Sequence, residues 1–562
     1  MKTRGLLVRV PGYPTQIDSF LPDRKLATVA GYLKEAGIEA EIIDFGTPVF
    51  LTSLIPGSLR ESVITLVKRL DAAGEVNNPF SALHMMWTVH STDRAFRSAM
   101  AKKCREIAEQ LAQRSSDFVV FSVQGADDVE PIFQIAGELR ELCPQRKVAL
   151  IGRYADLYGE MLAGASEAID CIFRGDGESV VPSWADRLSS RYDWSELPNL
   201  IFRENGKIRR TVAEPADLTR MPVPLYDPEV YPCLEDKGNK LRIFEIEESR
   251  GCPRLCYSCS RMTTERWMRP RPVRSVCDEI RRLQAVYSTI AFRFSDTTAS
   301  GAAHSGSVAL ALLRQGLVTV SARRIHVCSA SSDVFQSLHA SGCHVVTFNV
   351  DTGSQRLLED CFGKNTCVTH METLLREAKR AGLRTIVRLT YPSPGDDYHT
   401  REETLRFLTR TKPDFACVVL PEMHPRSVWF GHATRFGFWI PAKYLEQPWA
   451  QSRTRFPLPV GRWQNLPYRV GSFASSQVVQ EQESLLAAVE GMGIPTGVTE
   501  VYALAGHMLG QTPSAVRAEL ITRMFSGDVE SLQDWLRKVN EVLMVPAAGR
   551  SAKPLRPAVG EP

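Results

Sequence analysis

The chain has 562 residues, too many for one hydrophobic core, and a prior of about 150 residues per domain predicts three or four domains. Its 44% hydrophobic and 23% charged residues are typical of a folded globular protein, and no apolar run is as long as the ~18 residues of a membrane helix. The net charge of +4 indicates neither a nucleic-acid nor a membrane partner. Thirteen cysteines without paired framework spacing argue against a secreted disulfide protein and favour the reducing cytoplasm.

Residues 1–190 alternate strand and helix patterns, which predicts an α/β, doubly wound, Rossmann-like sheet. Ligands of such sheets bind beyond the carboxyl ends of the strands. Four turns at those ends, "PGYPTQ", "SVQGADD", "IGRYAD" and "RGDGE", carry glycine or small polar residues, as close approach of the backbone to a large ligand requires. No G-x-G-x-x-G follows the first strand, so a nucleotide-binding or ligandless domain stays an open alternative.

Two further stretches interrupt or follow this domain. Residues 47–115 form a long insertion between the second and third predicted strands, and residues 191–240 are expected to be a polar connector with proline turns. At the far end, the Pro, Gly and Ala content of residues 546–562 predicts disorder.

Three cysteines follow directly after the strand pattern "LRIFEIEESRG": Cys252, Cys256 and Cys259. The spacing C-x3-C-x2-C puts three thiolates on one loop, the number that a [4Fe–4S] cube needs when its fourth iron is left open. The alternatives are a zinc site or three unrelated core cysteines. A structural zinc site normally closes with four ligands, and no nearby Cys or His pair supplies the rest.

Residues 241–424 contain six strand–helix patterns, beginning with the strand before the cysteines and ending with "FACVVLPEM". A barrel places its chemistry at the carboxyl ends of its strands, where the cysteine loop lies. Residues 425–545 mix aromatic, basic and helical patterns, and we expect a mostly helical cap that covers the open side of the barrel.

The cysteine spacing and the six strand–helix units resemble the radical S-adenosylmethionine (SAM) enzymes, and residues 1–190 resemble the cobalamin-binding domain that precedes many of them. The chain is therefore similar to the cobalamin-dependent radical SAM methyltransferases (class B). The resemblance implies a [4Fe–4S] cluster on Cys252, Cys256 and Cys259. It also implies cobalamin between the sheet and the partial (β/α)6 barrel, with contacts from the four turns: Tyr13, Pro14, Thr15, Gln16, Ser122, Gln124, Gly152, Arg153, Tyr154, Gly175, Gly177 and Glu178. It also implies SAM contacts from Tyr257, Asp296, Thr352, Ser354 and Arg388.

The chain departs from the family pattern at three places. No Asp-x-His-x-x-Gly occurs, and His84 and His90 are the only histidines before residue 300, so cobalt would lack a histidine ligand. The aromatic residue normally found directly before the third cysteine is displaced to Tyr257, with Ser258 in its place. The second strand keeps Asp296 but lacks the usual second acid and aromatic. Glu279, in the helix after the loop, is either a salt-bridge residue or a carboxylate that competes for the open iron.

The resemblance implies transfer of a methyl group from SAM, via methylcobalamin, to an unreactive carbon of a small-molecule substrate, with an external electron donor. The altered Tyr257–Ser258 order is compatible with the polar route of the tryptophan 2-C-methyltransferase of thiopeptide antibiotic biosynthesis, which makes C2 of tryptophan the specific hypothesis. A cyclase, or a methylase acting on another carbon or on phosphorus, is the alternative. A cobalamin or iron–sulfur sensor ranks last, because no output module is recognisable.

Overall fold

The structure is a computed structural model of the chain. It describes residues 3–12, 17–54, 57, 60–61, 64–65, 79–188, 193–260, 267–294, 302–327, 331–449 and 468–544. The tail predicted to be disordered lies outside the described residues, and so do five candidate site residues: Tyr13, Pro14, Thr15, Gln16 and Asp296.

The chain begins with an α/β domain built on one seven-stranded sheet. Its strands are β1 (Arg4–Arg9), β2 (Glu39–Asp44), β3 (Phe118–Ser122), β4 (Lys147–Ile151), β5 (Cys171–Phe173), β6 (Leu200–Glu204) and β7 (Lys207–Arg210). Its helices are α1 (Arg24–Glu35), α2 (Pro48–Ser53), α3 (Pro79–Ala112), α4 (Val129–Leu142), α5 (Arg153–Ala165) and α6 (Val181–Asp186).

The spatial order of this sheet is β2-β1-β3-β4-β5-β6-β7, with β1 to β5 parallel, so the strand order reverses at β1. Every residue of β3 is buried, because helices cover both faces of a parallel sheet. The predicted doubly wound fold is confirmed.

Within residues 191–240, predicted as a polar connector, β6 and β7 extend the first sheet as an antiparallel hairpin. Asn205 and Gly206 form the two-residue turn of this hairpin, and both have positive φ. An Asn-Gly pair between two short strands is the usual sequence of such a turn.

The second sheet is the inner wall of the partial barrel. Its strands, with a short hairpin after the first of them, are β8 (Phe244–Ile246), β9 (Ser249–Arg250), β10 (Arg269–Pro270), β11 (Ala291–Phe294), β12 (Val320–Ile325), β13 (Cys343–Asp351), β14 (Arg384–Thr390) and β15 (Phe415–Val419). Its helices are α7 (Val273–Tyr287), α8 (Ala302–Arg314), α9 (Ser332–Ala340), α10 (Gln355–Asp360), α11 (Val368–Arg380) and α12 (Tyr398–Thr411). Six parallel strands pair in the order β15-β14-β13-β12-β11-β8, which confirms the predicted (β/α)6 arrangement.

The remaining chain is mostly helical, as predicted. Its elements are α13 (Val428–Gly431), β16 (Phe438–Trp439), α14 (Ala442–Glu446), β17 (Arg469–Val470), α15 (Ser475–Gly491), α16 (Glu500–Leu509), α17 (Pro513–Ser526) and α18 (Val529–Val542). No helix in the described part of the chain combines the length and apolar character needed to cross a membrane.

Helix α16 lies inside the barrel rather than over it. Val501 and Leu504 of α16 share a buried cluster with Ala322, Val345 and Ile386, which point to the concave side of the second sheet. Side chains alternate along a strand, so the residues between them point outward to the surrounding helices. Helix α16 therefore fills the amino-terminal half of the barrel interior and leaves the carboxyl ends of the strands for the site.

Candidate active site

The segments that follow the strands of the first sheet meet the segments that follow, or end, the strands of the barrel. Three arginines on the barrel side each pair with an aspartate that follows a strand of the first sheet: Arg250 with Asp176 at 2.8 Å, Arg426 with Asp156 at 3.5 Å, and Arg293 with Asp18. Parallel sheets bind ligands at the carboxyl ends of their strands. These ends of the first sheet and of the barrel face each other, so the ligand sites of the two domains share one space.

The three candidate cluster cysteines lie on a loop whose two ends are joined. The loop leaves β9 and returns in β10, and these strands pair antiparallel, with Arg250 opposite Arg269. Cys252, Cys256 and Cys259 are half-buried and free of disulfides. The β9–β10 pair thus holds both ends of the loop, here called the cysteine loop (residues 251–268, of which 261–266 lie outside the described residues), at the carboxyl edge of β8.

Three thiolates on one loop are the donor set that a [4Fe–4S] cluster with one open iron needs. Within the described residues no three His, Cys, Asp or Glu side chains converge on a point where one metal ion could bind. A four-iron cube makes no such demand, because each thiolate binds a different iron.

The surroundings of Cys256 keep its thiol protonated while no metal is bound. Burial raises the pKa of Cys256 to about 12, although the neighbouring Lys364 ammonium acts in the opposite direction. Lys364 is itself buried, pairs with Asp351 at 2.5 Å and donates to the carbonyl of Asn349 at 2.6 Å. Thiolate ligation must therefore displace a proton, and the fixed cation beside Cys256 favours the negative charge that replaces it.

Tyr257 anchors the middle of the cysteine loop. Its backbone N–H donates to the carbonyl of Phe362 at 2.9 Å, and its carbonyl accepts from Trp429 at 3.0 Å. Its ring packs at 5.8 Å from that of Phe436. Gly363 has φ of +58°, and a Cβ there would lie 2.5 Å from the Tyr257 ring, so only glycine allows this approach. The predicted SAM contact of Tyr257 stays a prediction.

Three other predicted SAM contacts lie at the carboxyl ends of β13 and β14. The hydroxyl of Thr352 lies 3.3 Å from that of Thr404 in α12 and accepts from the Ser354 backbone N–H at 3.1 Å. The Ser354 hydroxyl is buried without a hydrogen-bond partner among the described residues, which suits a polar ligand. Arg388 is half-buried, two residues before the end of β14.

At the edge of the first sheet, Asp23, Ser122 and Gln124 form a hydrogen-bond chain that runs from the buried Asp23 to the exposed Gln124. Ser122 donates to the carboxylate of Asp23 at 2.6 Å and accepts from the Gln124 side chain at 2.8 Å. Asp23 caps α1 by accepting from the Leu26 N–H. The Ser122 hydroxyl is thus already hydrogen-bonded within the first domain, whereas the exposed Gln124 side chain is accessible to a ligand.

Gly152, Arg153 and Tyr154 begin α5 directly after β4. Gly152 has φ of +124°, and a Cβ there would lie 2.5 Å from the carbonyl oxygen of Val123, so a side chain cannot be accommodated. The Tyr154 ring stacks on Tyr158 with 4.3 Å between centroids. Glycine at 152 thus lets the start of α5 pack directly on the backbone of Val123, and the predicted cobalamin contacts of Gly152, Arg153 and Tyr154 stay predictions.

The turn "GDGE" at 175–178 contacts both the first domain and the barrel. Gly175 donates its N–H to Asp156 at 2.9 Å, within the first domain. Glu178 is fully buried and pairs with Lys25 at 3.1 Å and with Arg250 of the barrel. Its carboxylate is therefore engaged in ion pairs, and the predicted cobalamin contacts of Gly175, Gly177 and Glu178 stay predictions for their backbone.

Glu279 has the salt-bridge role of the two that the sequence left open. Its fully buried carboxylate lies between Arg271, at 2.7 Å, and Arg24 of α1, whose Nη2 is at 3.3 Å. Burial acts to raise the pKa of Glu279, but the two arginines lower it. The carboxylate is saturated and joins α7 to the first domain.

The sequence interpretation missed Glu422 and His424, which follow β15. His424 Nε2 lies 3.1 Å from Glu422 Oε2, and the Glu422 side chain is 68% exposed. The neighbouring charges of His424, then Arg153 and Arg388, lower the pKa of this exposed carboxylate. A carboxylate two residues from an imidazole, directly after the last barrel strand, was the available signal.

Comparison with known proteins agrees with this architecture. Residues 246–408 match the model of the Radical SAM superfamily. The chain is 25% identical over 283 residues to an uncharacterized methyltransferase of Pyrococcus horikoshii, covering 50% of this chain and 61% of the relative. It is 23% identical over 300 residues to the cytidylyl-2-hydroxyethylphosphonate methyltransferase of Streptomyces wedmorensis, covering 47% of this chain and 54% of the relative. An anaerobic magnesium-protoporphyrin IX monomethyl ester cyclase of Synechocystis matches 34% of this chain and 38% of its own length, at 26% identity.

Among solved structures, the radical S-adenosylmethionine methyltransferase TsrM of Kitasatospora setae, with cobalamin and a [4Fe–4S] cluster bound, has the same fold. The TM-score is 0.65 at 16% identity, over 96% of this chain and 100% of TsrM. The chain spans about half the length of the curated relatives that it matches. Residues 246–408 are therefore a radical SAM superfamily domain, set within the overall fold that TsrM also has.

Proposed function

We propose that this protein is a cobalamin- and [4Fe–4S]-dependent methyltransferase that moves a methyl group from SAM to an unreactive carbon. The observation that carries the proposal is the meeting of the two carboxyl edges, with the cysteine loop at their junction. Arg250, two residues before Cys252, contacts Asp176 of the first domain, so the two sites share one space. Two relatives that are methyltransferases support the reaction class.

Each cofactor has candidate residues. Cys252, Cys256 and Cys259 would hold the cluster, and Ser354 and Arg388 would bind SAM, since a guanidinium can pair with the SAM carboxylate. The turn at Gly152 would approach cobalamin. When bound, the cobalamin supplies a methyl carrier, and the cluster supplies a site for SAM and for an electron from an external donor.

The protein's own part is to position these groups and to accept a proton. On the polar route the carbon receives the methyl group as a cation and must then lose a proton, and Glu422 is a carboxylate that could accept it, because neighbouring charges lower its pKa. Its low basicity is sufficient, because a proton on the methylated carbon of a cationic indole is strongly acidic. His424, 3.1 Å away, orients the carboxylate.

We propose C2 of tryptophan as the first substrate position to test. TsrM has been solved with tryptophan and a SAM analogue bound, and its fold matches 91% of this chain with a TM-score of 0.64. The alternative is a cyclase or a methylase of another atom, which the cyclase and phosphonate methyltransferase relatives favour.

The test uses SAM with an isotope-labelled methyl group and the reconstituted protein. Label in the product, at one methyl per turnover, supports the methyltransferase, and label at C2 of tryptophan supports the specific substrate. Product without label would contradict methyl transfer and favour the cyclase alternative.

A further inference from the structure

The cysteine loop is fixed to the first domain at both of its ends, through four charged residues. We call Asp176, Glu178, Arg250 and Arg269 the interdomain clamp. Asp176 and Glu178 belong to the turn after β5, whereas Arg250 and Arg269 are paired opposite each other in β9 and β10. One turn of the first domain thus contacts both the entrance and the exit of the loop.

At the entrance, Arg250 is surrounded by carboxylates. Its Nη1 lies 2.8 Å from Asp176 and also pairs with Glu178, while its Nη2 lies 2.9 Å from Glu247. Its side chain is 6% exposed, so these contacts lie in a medium that screens charge poorly. Cys252 follows two residues later, too close for its backbone to move independently of Arg250.

At the exit, Arg269 donates to the second oxygen of Asp176 at 2.6 Å and to the carbonyl of Ala216 at 2.9 Å. Asp176 therefore binds one arginine with each oxygen, and the arginines stand on opposite strands. The backbone N–H of Ala216 supplies a further donor to Asp176 at 2.8 Å. This carboxylate bridges the two ends of the cysteine loop.

The neighbouring residue Arg271 strengthens the exit. It is fully buried, donates to the carbonyl of Glu247 at 2.8 Å, and pairs with Glu279, which in turn contacts Arg24 of the first domain. The loop exit is thus attached to the first domain by two separate groups of charges.

We propose that Asp176 and Glu178 are positioning residues that hold the cysteine loop in the conformation that receives the cluster, rather than side-chain ligands of cobalamin. The role in cluster binding rests on the proposed function. The role in loop order does not, because it follows from contacts that require no cofactor. The clamp also makes the turn after β5 a shared boundary, since Gly175 and Glu178 contact Asp156 and Lys25 of the first domain while Asp176 and Glu178 pair with Arg250 beside the loop.

The matched control is Asp170. Like Asp176 it pairs with two cations, Arg140 at 2.7 Å and Lys147 at 3.1 Å, and accepts one backbone N–H, from Val148 at 2.8 Å. Its partners all lie in the first domain. Asp176→Asn and Asp170→Asn therefore remove the same charge from similar surroundings, and only the first breaks contacts with the cysteine loop.

Hydrogen–deuterium exchange of the cofactor-free full chain is the direct test. In Asp176→Asn we expect peptides that span 249–271 to exchange about tenfold faster than in the wild type, because local opening becomes easier. Asp170→Asn should leave those peptides unchanged. After reconstitution, Asp176→Asn should bind less iron and as much cobalamin as the wild type.

Equal exchange of these peptides in the two variants would overturn the proposal, as would loss of cobalamin with iron retained. If Asp176→Asn does not fold, Arg269→Gln gives the same test, since its side chain is 22% exposed and its removal leaves Arg250 paired. Unchanged exchange in Arg269→Gln would then overturn it. A wild type that takes up no iron would contradict the proposed function alone, and the exchange comparison would still decide the clamp.

Discussion

Glu279→Gln is the substitution with the largest stability effect that the structure predicts. Glu279 and Arg271 are both 0% exposed, and Arg24 is 7% exposed. The amide keeps the size of the side chain but removes the charge that compensates the two arginines. Two guanidinium groups then remain buried without a counter-charge, which is the costly way to break a buried ion pair.

Removing one partner of such a pair typically costs 3–5 kcal/mol, and we expect about 3 kcal/mol here because the amide oxygen still accepts one hydrogen bond. For a cooperative unit of roughly 200 residues this lowers the melting temperature by about 10 °C. The control is Asp278→Asn on the same helix, whose partners Arg274 and Arg281 are 92% and 53% exposed. An exposed pair of this kind contributes less than about 1 kcal/mol.

Differential scanning calorimetry at low salt measures both variants against the wild type. The expected result is a large fall for Glu279→Gln and a fall of at most a few degrees for Asp278→Asn. Equal melting temperatures for the two variants would refute the assignment of Glu279 as a saturated, buried counter-ion.

Three further predictions concern other sites. Gly152→Ala adds a Cβ that would lie 2.5 Å from the Val123 carbonyl oxygen, so the turn that is proposed to approach cobalamin must shift. We therefore expect less cobalt per chain by metal analysis, with iron retained. Glu422→Gln should lower the methyl-transfer rate constant about 100-fold with little change in the KM for SAM, and Glu422→Asp should recover part of the loss. Burial, and then His507, lower the pKa of His344 to about 3, so the unfolded chain binds the extra proton and stability should fall as pH falls from about 6.5 towards 3. Melting temperatures at pH 7.5 and 5 should therefore differ less in His344→Leu than in the wild type; an equal difference would contradict this.

Much of the fold was readable because local patterns determine it. The apolar run at 117–123 becomes the fully buried β3, Phe118–Ser122. The cysteine loop lies where its strand pattern ended, at the carboxyl edge of β8. Both follow from hydrophobic periodicity and turn chemistry, which act over a few residues.

The contacts that build the site were not readable, because they join distant parts of the chain. Arg250 and Asp176 are 74 residues apart, and nothing in either local sequence specifies the other. The position of α16 inside the barrel is a similar case. Its sequence is apolar on most sides, which indicates a buried helix but not which sheet buries it.

The most direct test of the central claim is the metal and corrin content of the anaerobically reconstituted protein, compared with a triple variant, Cys252→Ala, Cys256→Ala and Cys259→Ala. The account predicts about four irons and one cobalt per chain in the wild type, with iron lost and cobalt kept in the variant. Zinc in place of iron, or a wild type without bound cobalamin, would contradict it.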